Sequence, residues 1–239
     1  MQELTEIIIF SAISGITIFL GGIFGLALEM SKISLVNKDK FIHFMSSFTG
    51  GILISTIAFV FIPHSIDNLS NTNIILVFLS GSVFFLALDK IVQTRFGNIS
   101  QLMAMLLDFI PEAIALGALL ATNKKLGMLL ALFIGLQNFP EAFNSYLDLK
   151  NNKLTPKKII TYFFFLSFAG VFVAVISSLI LASQEQAISN IMLFASSGIL
   201  YLIFQDIIPE SKIKNSYSPS LGAAMGFLIG VISYKMVIS

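Results

Sequence analysis

Eight long apolar stretches, separated by short polar or turn-forming segments, account for most of the sequence. They fall at about residues 6 to 29, 42 to 63, 74 to 94, 99 to 122, 125 to 147, 158 to 182, 187 to 209 and 219 to 238. Each is close to the roughly 20 apolar residues that a helix needs to cross a bilayer. Backbone groups in lipid must be hydrogen-bonded within the segment, and these stretches are too long and uniform for barrel strands. We therefore predict an all-α polytopic integral membrane protein whose eight transmembrane helices form a single transmembrane domain over residues 1–239.

The composition supports a membrane protein and removes several classes of chemistry. Hydrophobic residues make up 56% of the chain and charged residues only 11%, against roughly 25% charged in soluble domains. Cysteine is absent, which excludes disulfides, thiolate metal sites and cysteine nucleophiles. The formal net charge is +1, and the lack of long basic runs argues against a nucleic-acid partner. Membrane lipid is an expected partner, and no prosthetic group is expected.

The distribution of basic residues predicts how the helices are oriented. When the connections are assigned alternately to the two sides, one side receives only Lys124, Lys125 and Lys235. The other side receives the remaining basic residues, which are Lys32, Lys38, Lys40, Lys90, Arg95, Lys150, Lys153, Lys157, Lys158, Lys212 and Lys214. We call this second side the lysine-rich side. Because cytoplasmic loops carry the excess of Lys and Arg, we predict a cell-membrane protein with both termini outside the cytoplasm.

Ionisable residues within the apolar stretches indicate where function resides, because each costs about 2.5 to 3.5 kcal/mol on insertion scales. Three stand out, Asp108 and Glu112 in the fourth stretch and Glu141 in the fifth. Each of these two stretches also carries a Pro-Glu-Ala tripeptide, beginning at Pro111 and Pro140. A proline within a helix leaves the carbonyl four residues earlier without its donor. Each proline is therefore expected to free a backbone oxygen beside a carboxylate.

Helical spacing predicts that these polar residues meet. Asp108 and Glu112 are four residues apart and share a helical face, as do Gln137 and Glu141. Asp108 and Gln137 also lie at nearly equal distances along the chain from the Asn123-Lys124-Lys125 hairpin, so they are expected at a similar depth. Interrupted helices that meet near the midplane around carboxylates are typical of transporter binding sites.

A bound cation would explain the three acids, because the two segments contain no Lys, Arg or His to neutralise them. Carboxylate, amide and carbonyl oxygens suit Mg²⁺, Mn²⁺ or Fe²⁺, whereas imidazole favours zinc. The alternative is that the acids are protonated and hydrogen-bonded within a helix interface. The predicted metal ligands are Asp108, Glu112, Gln137, Asn138 and Glu141.

These motifs resemble those of the ZIP family of divalent-metal transporters. That family has a His-Asn-x-Pro-Glu-Gly-like motif in helix four and a similar Pro-Glu motif in helix five, and residues 137–142 (QNFPEA) are similar to the second motif. Residues 61–64 (FIPH), 81–89 and 197–210 extend the resemblance over most of the chain. It implies eight helices with both ends outside, an inverted repeat of the first and last three helices around helices four and five, and transport of zinc, iron, manganese or a similar divalent metal.

The sequence departs from the family pattern at the second metal position. Asp108 stands where the family usually has a histidine ligand, Phe109 replaces an asparagine that can serve a second metal, and helix six has no acid. The resemblance therefore implies one metal position and a degraded second one. The His-rich loop of the family is reduced to residues 93–98, so metal sensing through that loop is not expected.

Polar residues near the helix ends are weaker candidates. His64 and Asp67, at the outer end of helix two, could recruit cations, although interfacial polar residues are common. Asp89, Asp206 and Glu210, at predicted cytoplasmic ends, could line an exit or simply be solvated.

Small residues at four-residue spacing permit close approach of helices. They occur as Gly222, Gly226 and Gly230 in helix eight and as Gly21 and Gly25 in helix one. Packing within the chain is the favoured interpretation, and a homodimer interface is the alternative.

The sequence favours a carrier or selective channel that moves a divalent cation into the cytoplasm through the sites on helices four and five. The cation is then the transported substrate, and no enzymatic activity is expected. A proton-coupled or organic-solute carrier could use the same carboxylates, and a metal-binding membrane regulator without transport remains open. An intramembrane metalloenzyme would need a metal-activated water and a general base, and the lack of histidine beside the acids argues against it.

Overall fold

The chain forms a bundle of α-helices, as seen in a computed structural model that describes residues 2–32, 35–96, 100–213 and 216–238. Two of the helices, α2 and α7, each contain a π-helical turn, so each consists of three consecutive segments. In chain order the helices are α1 (Gln2–Met30), α2 (Leu35–Thr56, Ile57–Phe61 and Ile62–Asn68), α3 (Asn71–Arg95), α4 (Ser100–Thr122), α5 (Lys124–Asn151), α6 (Pro156–Leu181), α7 (Glu185–Leu202, Ile203–Ile207 and Ile208–Ser211) and α8 (Ser218–Ile238).

Within the described residues, eight helices are long and apolar enough to cross a membrane. This confirms the predicted all-α polytopic membrane protein. Helices α4 and α5 are central. In each of them, 61% of an 18-residue apolar segment is buried inside the protein, whereas the corresponding share is 17% in α3 and 22% in α8. The two helices that carry the predicted site are therefore surrounded by protein, while α3 and α8 present most of their surface to lipid.

The helices pack as two groups. In the first bundle, α1 packs against α5 and α6, and α4 packs against α5 and α6. In the second bundle, α2 packs along α8, α3 packs along α7, and α2 also contacts α7. The bundles meet where α5 contacts α2 and where α4 contacts α7. Exchanging α1 with α6, α2 with α7, α3 with α8 and α4 with α5 leaves this pattern of contacts unchanged, as expected for the predicted 3+2+3 inverted repeat.

The π-helical turns of α2 and α7 are a second sign of the repeat. The turn in α2 spans Ile57–Phe61, the turn in α7 spans Ile203–Ile207, and each is followed by an Ile-Pro pair. In both helices the residue before the proline donates its N–H to the carbonyl five residues earlier. Because Pro63 and Pro209 have no N–H for the residue four positions earlier, the wider turn accommodates the missing donor while the helix continues.

Glycines hold the paired helices of the second bundle close together. A Cβ atom on Gly226 of α8 would collide with the backbone oxygen of Phe48 in α2, and one on Gly81 of α3 would collide with that of Phe194 in α7. The predicted glycine stripe of α8 is thus used for packing within the chain. The predicted homodimer stays a prediction.

Candidate cation site

The site is built on the hairpin of α4 and α5. Both helices continue through their internal prolines, Pro111 and Pro140. Asn123 joins the helices, and its side-chain oxygen accepts a hydrogen bond of 3.2 Å from the backbone N–H of Leu126 at the start of α5. This short connection fixes the relative depth of the polar residues on the two helices.

Glu112 and Gln137 form the more deeply buried pair of the site. The Gln137 Nε2 group donates to Glu112 Oε1 at 2.7 Å and to Glu112 Oε2 at 2.6 Å. Glu112 is 0% exposed and Gln137 is 1% exposed. The other polar atom of the amide, Gln137 Oε1, is buried and has no hydrogen-bond partner in the protein. One acceptor oxygen is therefore free beside a buried carboxylate.

Asp108 and Glu141 form the second pair. Their side chains are in hydrogen-bond contact across the α4–α5 interface. Asp108 Oδ1 also accepts a hydrogen bond of 2.9 Å from the backbone N–H of Phe109. Both Asp108 and Glu112 interact electrostatically with Glu141, so the three acids that the sequence singled out lie close together.

Asn138 is placed differently from the other predicted ligands. It is 1% exposed, and its Nδ2 atom lies 3.5 Å from the backbone oxygen of Ser14 in α1. The structure therefore brings Asp108, Glu112, Gln137 and Glu141 together and directs the amide nitrogen of Asn138 towards α1. A ligand role for Asn138 stays a prediction.

The grouped side chains are arranged as two hydrogen-bonded pairs. In the described part of the chain, no group of three His, Cys, Asp or Glu side chains is positioned to hold a metal ion as it stands. The ion pairs of the described residues all lie elsewhere, between His64 and Glu185, Lys124 and Glu6, and Lys150 and Glu29. A cation at this site would thus have to separate at least one pair, and the ligand atoms that the paired side chains offer it are oxygens.

A cavity of about 60 Å³ leads from the second pair towards the lysine-rich side. Its wall includes the two acids of the pair, Asp108 and Glu141, and also Asp206 and Glu210 from α7. Asp108 is 6% exposed, while Glu210 lies at the exposed end of α7. The two α7 acids that the sequence suggested for an exit therefore share one cavity with the site.

Asn144 is a cavity residue that the sequence analysis missed. It lines the same cavity, and its Oδ1 atom is buried without a hydrogen-bond partner. Gln137, Glu141 and Asn144 are spaced by four and then three residues, which places all three on one helical face. This periodicity could have revealed Asn144 in advance.

Other predicted residues lie away from the paired acids. Asp89 accepts a hydrogen bond of 2.9 Å from Gln93 Nε2 and one of 3.2 Å from the hydroxyl of Tyr201, so it is tied to α3 and α7. Near the cavity, His43 of α2 has its Nδ1 atom 2.6 Å from the backbone oxygen of Glu210. It thus braces the end of α7 at the cavity mouth.

No protein-family model matches the chain, and a search of curated proteins finds no match.

Proposed function

We propose that the protein transports a divalent metal cation across the cell membrane into the cytoplasm, with the lysine-rich side facing the cytoplasm. The observation that supports this most directly is the free Gln137 Oε1 atom beside the fully buried carboxylate of Glu112. A buried polar atom without a partner costs about 1 to 3 kcal/mol, and buried acids in a membrane are costly as well. A cation bound by these oxygens would offset both costs.

The two bundles suggest how such a cation would move. The paired acids belong to α4 and α5 of the first bundle, while Asp206 and Glu210 on the cavity wall belong to α7 of the second bundle. Towards the opposite side, the outer halves of α4 and α5 are closely packed, with Leu116, Leu119 and Phe133 at most 2% exposed. We infer that the arrangement is open towards the lysine-rich side, and that rocking of one bundle against the other opens the opposite side.

A proton-coupled solute carrier is the second candidate, and one observation favours it. Two carboxyl groups in hydrogen-bond contact, as Asp108 and Glu141 are, require a proton between them. The same contact is compatible with the first proposal if the cation displaces that proton. A metal-binding regulator without transport would use the same site and differs only in the absence of flux.

Uptake by the purified protein in liposomes tests the proposal, with Mn²⁺, Fe²⁺, Zn²⁺, Co²⁺, Cd²⁺ and Mg²⁺ supplied separately. We expect flux of at least one of these ions, and we expect Glu141→Gln and Glu112→Gln to abolish it because each removes a ligand charge while preserving the side-chain shape. Thermal unfolding in detergent should show that both variants remain folded.

The matched control for these variants is Glu6→Gln. It also removes one carboxylate. Glu6, however, lies near the end of α1 that faces away from the lysine-rich side, where its Oε2 atom is 2.7 Å from Lys124 Nζ. Normal flux in Glu112→Gln and Glu141→Gln would refute the site. Absence of flux for every metal, with a metal-induced rise in unfolding temperature, would favour the regulator.

A further inference from the structure

The junction between the ends of α2 and α7 that face away from the lysine-rich side contains buried polar atoms without partners. We call this region the outer junction. Ser65 Oγ donates across it to the backbone oxygen of Ser189 at 2.9 Å, which holds the two helices together. Beside this contact, His64 Nε2 and Ser189 Oγ are buried and have no hydrogen-bond partner in the protein. The His64 side chain is 10% exposed and Ser189 is 0% exposed, so neither atom is satisfied simply by lying at the surface.

A carboxylate stands at the mouth of this junction. Glu185 Oε2 lies 3.4 Å from His64 Nε2, close enough for an ion pair but not aligned as a hydrogen bond. The Glu185 side chain is 55% exposed, and Asp67 adds a second negative charge near His64. An imidazole nitrogen and a carboxylate oxygen that face each other at this distance are suited to share a cation.

The inverted repeat gives an independent reason to connect this junction with the cation route. His64 follows the Ile-Pro pair of α2 as Glu210 follows that of α7, and Glu210 lines the cavity at the lysine-rich side. The two residues therefore occupy equivalent positions at the two ends of the molecule. The same equivalence relates Ser189 to His43, which contacts the backbone of Glu210.

A further unpartnered oxygen lies one residue beyond Ser189 along α7. Asn190 follows Ser189 in α7, and its Oδ1 atom is buried without a partner. Asn190 lines a cleft together with Pro111 of α4, and Pro111 immediately precedes Glu112 in the sequence. Polar atoms without partners therefore occur on two successive residues of α7, Ser189 and Asn190.

We propose that His64 and Glu185 form an outer capture site for a hydrated divalent cation on its way to the paired acids. The capture site rests on the proposed function, because its place on a route depends on there being transport. Two protein ligands leave most of the hydration shell of the cation intact, so binding is weak and release inward is fast.

The two histidines of the chain make binding at the capture site directly observable. The experiment is a titration of the purified, histidine-labelled protein with paramagnetic Mn²⁺, followed through the imidazole NMR signals and assigned with His43→Gln. Line broadening of the His64 signal is expected in the wild-type protein and in Glu112→Gln. Glu185→Gln should remove the broadening at His64 while leaving the His43 signal unchanged.

Transport measurements supply the second part of the test. Glu185→Gln and His64→Asn should raise the KM for Mn²⁺ uptake roughly tenfold, because a charged mouth concentrates cations locally, and should leave the maximal rate unchanged. Glu6→Gln, which removes a carboxylate on the same side, should leave KM unchanged.

The outcomes separate the two proposals. An unbroadened His64 signal, or equal KM values in Glu185→Gln and Glu6→Gln, would overturn the capture site. Broadening at His64 that depends on Glu185, in a protein without flux for any metal, would support cation capture and overturn transport.

Discussion

At the scale of single residues, the site depends on which atoms are left free. Gln137 uses its amide nitrogen to hold both oxygens of Glu112 and leaves its own oxygen without a partner. An amide in the opposite orientation would place its oxygen against the carboxylate and repel it. The hydrogen bonds therefore define the direction of the free oxygen. They also account for glutamine at this position, because a carboxylate there would add a fourth acid and could not donate to Glu112.

The identity of residue 108 is expected to influence which metal is transported. Asp108→His supplies an imidazole, which favours zinc more than an oxygen ligand does. If Asp108 binds the cation directly, the ratio of Zn²⁺ to Mn²⁺ uptake in liposomes should rise by roughly tenfold. Asp206→His is the matched control, because Asp206 lines the cavity outside the paired acids, and its uptake ratio should change less. An unchanged ratio in Asp108→His would indicate that Asp108 shapes the site without binding the metal.

The sequence predicted the convergence of the acids but not their hydrogen-bonding partners. Spacing of four residues on each helix and the central hairpin were sufficient to bring Asp108, Glu112, Gln137 and Glu141 together. The orientation of Asn138 towards Ser14 depends on how α1 packs against α5, and no periodicity within α5 encodes that packing. The pairing of Glu112 with Gln137 likewise depends on the rotation of α4 relative to α5.

At the scale of helices, the π-helical turns set the angular position of the cavity residues. Asp206 lies within the turn Ile203–Ile207, and Glu210 follows Pro209 just beyond it. Asp206 and Glu210 are four residues apart and so share a helical face, and the π-helical turn adjusts the rotation of Asp206 relative to the residues beyond the turn. Turns of this kind occur frequently at functional sites.

Pro209→Ala tests whether this turn matters for transport. Alanine restores an N–H that can bond to the carbonyl of Gln205, so the turn can relax to regular α-helix and rotate Asp206 relative to Glu210. We expect the liposome uptake rate to fall about fivefold, while the restored hydrogen bond, with a net contribution of about 1 kcal/mol, limits any loss of thermal stability.

A proline at the start of a helix provides the control for this variant. Pro156 lies in the first turn of α6, where a missing N–H leaves no interior hydrogen bond unformed. Pro156→Ala should therefore change uptake by less than twofold. Equal effects of the two substitutions would show that the turn has no special role.

The number and length of the helices were predictable because hydrophobic stretches of this length have few alternatives in a membrane. The repeat of Ile-Pro in α2 and α7 was also visible in the sequence. That each proline would be preceded by a π-helical turn was not predictable, since a proline within a helix can equally produce a kink or a break.

At the scale of the whole molecule, the contact between the two bundles includes an aromatic cluster. Phe41 of α2 stacks on Phe143 of α5 with ring centroids 5.8 Å apart, and Phe24 of α1 lies 5.5 Å from Phe143 and 6.1 Å from Phe41. Aromatic packing without hydrogen bonds offers little directional resistance to sliding. This cluster is therefore a suitable place to test relative movement of the bundles.

Crosslinking across the cluster should stop uptake if the bundles move against each other. The chain contains no cysteine, so Phe41→Cys combined with Phe143→Cys creates one specific pair between the bundles, to be joined by a short reducible crosslinker. Uptake in liposomes is expected to stop after linking and to recover on reduction.

The matching pair within the first bundle is Phe24→Cys with Phe143→Cys. It uses the same cluster and the same reagent, and linking it should leave uptake unchanged. Equal inhibition by both links would argue against movement between the bundles.

The inverted repeat makes the backbone of the two ends equivalent, but the side chains at those ends differ. Where α7 presents Asp206 and Glu210 at one end, the equivalent positions of α2 are Val60 and His64 at the other. At the outer end the imidazole of His64 faces the partly exposed carboxylate of Glu185, whereas at the other end Asp206 and Glu210 place two carboxylates on the wall of one cavity, together with Asp108 and Glu141. The two faces of the membrane should therefore reach half-saturation at different metal concentrations, with the lower value on the lysine-rich face, although the concentrations at equilibrium are set by the gradients alone.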